Sequence, residues 1–193
     1  MASKPKSILE DWLPDRPIPW LAGFALLYVV VFLVQDSISG LVDVLPGRIA
    51  VVFLPAFVRV VAVVVAGLAG AAGIALGSVV INAVLYQQPW EIAGTVAIAS
   101  GLGVFLSYWI LRMAFGEKLP LTLPMLMVLA VLYSAFNAMI HGLAWELLGF
   151  DQQATMADLA LMMVGDLAGV VLAFALLSLF LRRLPLFAKP VNK

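Results

Sequence analysis

Cysteine is absent from the 193 residues, and histidine occurs once, at His141. The first absence excludes disulfides, thiolate metal ligands and cysteine nucleophiles together. The second excludes a multi-histidine metal centre within one chain. Charge is scarce: Asp, Glu, Lys and Arg make up 11% of the residues, against about 25% in ordinary soluble domains. Eleven acidic residues balance eleven basic ones, so no basic surface of the kind that binds nucleic acid is expected. Neither His-Glu-x-x-His nor Gly-x-Ser-x-Gly occurs, and no Walker lysine follows the glycines between Gly67 and Gly77. His141 and Glu146 stand five residues apart, about 140° around a helix, so they do not share a ligand-bearing face. An enzyme is therefore not expected, nor a metal or cofactor site.

What is abundant is hydrocarbon. Hydrophobic residues make up 64% of the chain and mean hydropathy is +1.11, more than one buried core can absorb. An all-α bundle of transmembrane helices is the expected fold class, because lipid offers backbone groups no outside partner and no alternating barrel pattern is visible. Six runs approach the roughly 20 residues that cross a core of about 30 Å: Ile18–Val34, Ile49–Ala66, Leu68–Tyr86, Glu91–Met113, Leu123–Leu148 and Ala157–Leu181. The second and third are expected to form a tight hairpin, since nothing between Arg59 and Tyr86 is charged and the only break is the glycine-alanine stretch Gly67–Gly73. Before these runs, residues 1–17 place Ile8, Leu9, Trp12 and Leu13 ahead of Pro14, Pro17 and Pro19, which reads as an interfacial turn. No Ala-x-Ala site follows the first run, so that run is expected to remain as an anchor. The domain plan is thus an interfacial segment (1–17), a six-helix transmembrane domain (18–183) and a short basic tail (184–193).

Lys4, Lys6, Arg16, Arg112, Lys118, Arg182, Arg183, Lys189 and Lys193 would lie on one side, nine of the eleven basic residues. The positive-inside rule puts both termini in the cytoplasm. Asp36, Asp43, Arg48, Glu91 and Asp151 fall on the opposite face.

Two charges interrupt the apolar runs. Arg59 and Asp166 are expected at similar depth near the midplane. Each alone is disfavoured there by roughly 2.5–3.5 kcal/mol, so a direct, bidentate ion pair between them is the simplest expectation. Ser134, Asn137, His141 and Trp145 recur at helical spacing and share one face. Asn82 and Glu146 lie toward the outer ends of their helices, and Pro55, one turn above Arg59, is expected to free a backbone carbonyl inside the second helix. Polar groups thus concentrate from the midplane outward. That asymmetry is explained by a water-accessible pocket opening to the outer face and floored by Arg59 and Asp166. Pure helix-helix packing stands beside it as the plainer explanation, and His141 taken alone reads first as a satisfied structural histidine and second as a ligand or proton carrier. Gly165 and Gly169 have the small-xxx-small spacing of a helix-packing pair.

The order of marks resembles the bacterial membrane-associated sensor domain of the first MASE type. The residues carrying the likeness are Phe53-Leu-Pro-Ala-Phe57, Arg59, Gly73-Ile-Ala-Leu-Gly77 with Asn82, and Gly165-Asp-Leu-Ala-Gly169, within about residues 50–175. Those domains look like Trp-x-Pro-x-Gly, then Pro-Gly-Ile/Phe-x-x-Gly, then Gly-Asp-x-x-Gly. Here Phe53 replaces the tryptophan, Phe57 the glycine, and Ala72 stands where proline precedes glycine. The family usually carries more helices and a fused histidine kinase or nucleotide cyclase. The resemblance implies an integral sensory module, with Pro55, Gly73, Gly77, Gly165, Asp166 and Gly169 as the matching positions.

Three functions compete. The leading expectation is a sensory or partner-interaction module whose partners are the lipid bilayer, a membrane or cytoplasmic-face protein and a small-molecule ligand. The second is a carrier similar to the substrate-binding membrane subunits of vitamin transporters, although their Ala-x-x-x-Ala motif is not matched by Ala22 and Ala25. The third is a scaffold subunit whose polar pairs only hold helices together.

Overall fold

The computed structural model describes residues 13–38, 43–45, 49–116, 119, 122–149 and 155–183. Most of the interfacial segment expected at 1–17, and the whole tail 184–193, lie outside the described residues. Five helices are long and apolar enough to cross a membrane: α1 (Pro17–Ser37), α2 (Pro55–Val79, continued by a π-helical stretch Val80–Leu85), α3 (Trp90–Phe115), α4 (Leu123–Leu147) and α5 (Met156–Arg183). The shortest, α1, has 21 residues and extends about 31 Å at 1.5 Å per residue. Leu26, Val34, Ile98, Met113, Met139, Leu147, Leu172 and Phe180 face outward, whereas Arg59, Ser100, Ser134, Asn137, His141 and Asp166 are buried. A protein surrounded by water has the opposite distribution. The chain is a multi-pass membrane protein.

The second and third hydrophobic runs, expected as separate helices, form one helical element that is broken at Gly67. Gly67 adopts φ 52°, ψ −126°, a conformation open in practice only to glycine. The chain reverses there. A Cβ on Gly70 would overlap the backbone carbonyl of Ala62, eight residues earlier, whereas a straight helix separates such residues by about 12 Å. The first arm, residues 55–66, is about 18 Å long and does not reach across the hydrocarbon by itself.

Residues 49–54 are not helical, despite their hydropathy. Ile49–Ala50 pairs antiparallel with Asp43–Leu45 in a short ribbon, and irregular chain continues to Leu54. Pro55 then occupies the first turn of α2, where its missing N–H costs nothing and its fixed φ suits the helix. It therefore opens the helix and does not free a carbonyl within one. The irregular stretch is tied down through its backbone: Phe53 N–H donates to the Gly165 carbonyl at 2.9 Å, and Leu54 N–H to Gln35 Oε1 at 3.1 Å. A Cβ on Gly165 would overlap the Ala50 carbonyl, and one on Gly169 the Phe53 carbonyl. The small-xxx-small pair on α5 thus admits irregular chain, where the spacing alone suggests a neighbouring helix.

Gly73 and Gly77 do serve helix packing. A Cβ on Gly73 would lie 2.6 Å from the Leu21 carbonyl oxygen, and one on Gly77 2.9 Å from that of Ala25, so α1 lies close along the second arm of α2. α3 packs on α2 and α4, and α5 packs on α4 and α2. Arg59 meets Tyr28 and Leu54 meets Gln35, so α1 runs antiparallel to the first arm. Phe53 meets Gly165, and the Phe57 ring meets Phe174 edge-on at 4.9 Å, so α5 runs parallel to that arm. The start of α1 and the end of α5 therefore lie at one end of the bundle, and the ribbon lies at the other.

Candidate functional site: a buried polar network beneath a cavity

Arg59 sits one turn into α2 and is 4% exposed. Both terminal nitrogens of its guanidinium are saturated by neutral partners. Nη1 donates to Tyr133 Oη at 2.7 Å and to Asn137 Oδ1 at 3.1 Å. Nη2 donates to Tyr28 Oη and, at 3.2 Å, to Ser100 Oγ. Aromatic rings surround the cation, with Cζ 5.2 Å from the Tyr28 and Phe53 centroids and 5.9 Å from that of Tyr133. Their negative faces offset part of the desolvation.

Asp166 is 2% exposed, and its Oδ2 accepts from Asn137 Nδ2 at 2.7 Å. Among the described residues it forms no direct ion pair with Arg59. The expected bidentate pair is replaced by a bridge, because α4 places the Asn137 carboxamide between α2 and α5. The chemistry fixes the orientation of that amide: its oxygen must face the cation and its NH2 the carboxylate. Gly103 of α3 lets α4 come this close, since a Cβ there would lie 3.2 Å from Asn137 Cα. Asn137 thus links Arg59 to Asp166 through charge-assisted hydrogen bonds, and the Tyr133 hydroxyl, which accepts from Arg59, hydrogen-bonds Asp166 as well.

His141 lies one turn beyond Asn137. Its Nδ1 is 2.9 Å from the Asn137 carbonyl. A carbonyl only accepts, so Nδ1 carries the hydrogen and Nε2 of the neutral ring is left as an acceptor. Nε2 is 3.5 Å from Ser100 Oγ, a long contact, and that oxygen already accepts from Arg59. Trp145 meets the His141 ring edge-on, 6.1 Å between centroids.

Above this network is a cavity of about 210 Å³. It runs from Arg59, Asn137 and Asp166 at its floor, past His141, Ser78, Asn82 and Ser100, to exposed Asp36 and Tyr86 at the ribbon end. The Tyr86 hydroxyl donates to Asp36 Oδ1 at 2.8 Å, and Asn82 Nδ2 donates to the Ser78 carbonyl at 2.8 Å. One wall is the π-helical stretch. Its wider turn is closed by Tyr86 N–H on the Ile81 carbonyl, five residues back, at 2.9 Å. Such local widening recurs at functional sites.

Of the residues singled out from sequence, Arg59, Asp166, Asn137, His141, Asn82 and Trp145 all line this cavity. Ser134 does not line it; its buried hydroxyl turns back to the Ala130 carbonyl at 2.8 Å. Tyr28, Tyr133, Ser100, Gln35 and the Phe53 ring complete the site and were not singled out as members of it. Two of them carried a signal: Tyr133 lies one turn before Asn137 on the same face, and Tyr28 is a tyrosine far from either interface, where the aromatic belt would place it. The arrangement presents hydrogen-bonding side chains and ring faces to the cavity. Comparison with models of known protein families, with curated proteins and with solved structures finds no match to this chain.

Proposed function

We propose that the chain is a sensory or partner-interaction module of a bacterial inner membrane, and that a small ligand enters the cavity from the outer face. The observation that carries this reading is the cavity itself, which descends from one end of the bundle onto a buried network of seven polar side chains: Arg59, Asn137, Asp166, Tyr28, Tyr133, Ser100 and His141. Ionisable groups at membrane depth that line a cavity mark ligand or ion sites by default, and concave sites with a few convergent polar groups are where ligands bind. Both termini are proposed to be cytoplasmic, in keeping with the basic residues, with the hairpin at Gly67 counted as two of six legs. The motif order that resembles MASE-type domains, from which Phe53, Phe57 and Ala72 depart, is what favours sensing over transport. Ligand binding would be felt by the irregular stretch 49–54, which supplies Phe53 to the cation's surroundings and is anchored to both α1 and α5.

Native mass spectrometry of protein extracted with its own lipids tests this reading. Wild type is expected to release a small molecule. Val96→Trp, which fills the cavity from α3, is expected to melt near the wild-type temperature and to release none. Wild type that carries nothing from any growth condition, alongside an equally active Val96→Trp, would leave only the scaffold role.

One observation favours the carrier as a second reading. α2 begins inside the bundle beside the site, and discontinuous helices flank substrate sites in transporters. Flux of the bound molecule across proteoliposomes would separate the two.

A further inference from the structure

Resting on the reading of the cavity as a ligand site, we infer that its ligand is a small organic cation, in the chemical class of protonated amines, that enters through an acidic mouth at the ribbon end. Charge, the hydrogen-bonding capacity left on the lining, and the lining rings each lead there.

The cavity and its mouth carry an excess of negative charge. The lining holds two carboxylates, Asp36 and Asp166, against one guanidinium, Arg59. Asp166 and Arg59 lie together at the floor and offset each other, which leaves Asp36 at the exposed mouth. The Tyr86 hydroxyl meets Asp36 from the end of the second arm of α2, so α3 starts at this end, α4 returns to it and α5 leaves from it. Exposed Glu91 in the first turn of α3, Glu146 in the last turn of α4 and Asp158 in the first turn of α5 therefore stand around the same end. In the sequence that joins these termini, 36–54, 86–91 and 146–158, six residues are acidic and Arg48 alone is basic. Arg16, Arg112, Arg182 and Arg183 belong to helix termini at the opposite end. A mouth of one sign concentrates ligands of the other.

The floor is closed to an anion. Each terminal nitrogen of Arg59 already makes two hydrogen bonds, so neither is left to clamp a carboxylate or a phosphate. The lining hydroxyls serve in either direction, and the other side chains retain mainly lone pairs. His141 carries its hydrogen on Nδ1, toward the Asn137 carbonyl, so Nε2 accepts. Asn82 has its NH2 on the Ser78 carbonyl and hydroxyl, at 2.8 and 3.3 Å, so its oxygen is the end left over. Asp36 accepts from Tyr86, and a carboxylate has about four acceptor sites. An ammonium only donates, which complements that set. Among the described residues no three His, Asp or Glu side chains converge as metal ligands, which favours an organic cation over a metal ion.

The rings complete the match. The floor shows how this interior keeps a cation, since Arg59 lies among the rings of Tyr28, Phe53 and Tyr133. Phe32, Tyr86 and Trp145 line the cavity as well, and the negative face of a ring suits an ammonium as it suits a guanidinium. The volume of about 210 Å³ limits the ligand to a small amine.

The chain has no cysteine, so a single introduced one reports on the cavity alone. Val96→Cys and, as a second lining position, Ile92→Cys are reconstituted in lipid nanodiscs at neutral pH. Each is labelled with trimethylammonium-ethyl, hydroxyethyl and sulfonato-ethyl methanethiosulfonate, which share a reactive group and differ in charge. Every rate is divided by that of the same reagent with a free thiol in solution. Ile98→Cys, on the outward face of the same helix, is the lipid-facing control. At the lining positions the cationic reagent is expected to react at least about tenfold faster than the anionic one. Asp36→Asn keeps the oxygen that accepts from Tyr86 and removes the charge; it is expected to lower that ratio about fivefold, the effect of one charge near water. Benzylammonium is expected to slow labelling more than benzyl alcohol or benzoate at equal concentration. A ratio near one or reversed, a ratio unmoved by Asp36→Asn, or protection that is absent or led by benzoate or benzyl alcohol overturns the amine class and leaves the cavity a site for another ligand. Lining cysteines as unreactive as Ile98→Cys toward all three reagents overturn the class and the site reading together.

Discussion

Replacing Asn137 by leucine keeps the branched outline of the side chain, with two methyls in place of the amide oxygen and nitrogen, and deletes the bridge. Two hydrogen bonds to charged groups disappear, one from Arg59 at 3.1 Å and one to Asp166 at 2.7 Å. Each such bond contributes about 1.5–3 kcal/mol, and breaking a buried charge arrangement by removing one member costs about 3–5 kcal/mol. The expected loss in unfolding free energy is therefore about 3–5 kcal/mol, because Arg59 keeps its two tyrosines and Ser100 whereas Asp166 is left with the Tyr133 hydroxyl alone between it and the cation. Equilibrium unfolding in mixed micelles, followed by circular dichroism, reads this directly. Asn137→Ser, which retains one hydroxyl, should fall between wild type and leucine and provides a measurable rung if the leucine variant fails to fold. The cycle with Asp166→Asn is the sharper arm. Once the carboxylate is neutral, Asn137→Leu should cost less, with a coupling of at least about 1 kcal/mol. A leucine variant within about 1 kcal/mol of wild type, or additive single and double variants, would refute the bridge.

Two further expectations concern the backbone. Gly169→Ala drives a methyl into the Phe53 carbonyl and should cost about 1–3 kcal/mol or more, whereas Gly23→Ala and Gly94→Ala, whose Cβ positions meet nothing within 4 Å, should be neutral or slightly stabilising; equal effects at the three sites in a melting experiment would refute the close approach. Gly67→Ala should cost about 1–3 kcal/mol through backbone strain alone, and a melt unchanged by that substitution would mean that the reversal at residue 67 is not as described.

The helices that cross alone were legible in the sequence nearly to their ends. Glu91–Met113 became Trp90–Phe115, and Leu123–Leu148 became Leu123–Leu147. Long apolar runs flanked by polar residues leave the chain little choice in lipid. The stretch Ile49–Leu54 misled because hydropathy reports depth and says nothing about backbone conformation. What decided its form was Pro55, which begins a helix more readily than it continues one, and a distant pair of glycines that accept its carbonyls. Spacing alone could not tell that Gly165 and Gly169 receive irregular chain, since a small-residue notch looks alike whichever backbone fills it.

The polar site was legible by residue type and opaque by connection. Depth matching brought Arg59 and Asp166 to one level, which was sufficient to place both at the cavity floor. It could not reveal that a third helix would insert Asn137 between them. That insertion changes how the two charges are held. A direct ion pair would satisfy both charges and close the interior, and a well-packed apolar substitute is often as stable as such a pair. The bridged form instead spreads one cation over two tyrosines, a serine and an amide from α1, α3 and α4, and holds the carboxylate through that same amide on α5. Every helix of the bundle therefore contributes to one network at the base of one cavity. A ligand that drew on Gln35 or displaced the Phe53 ring would bear on α1, α2 and α5 at once, through the Leu54 and Gly165 backbone bonds. Residues 49–54, neither helix nor paired strand for most of their length, are the segment that those two bonds hold in place.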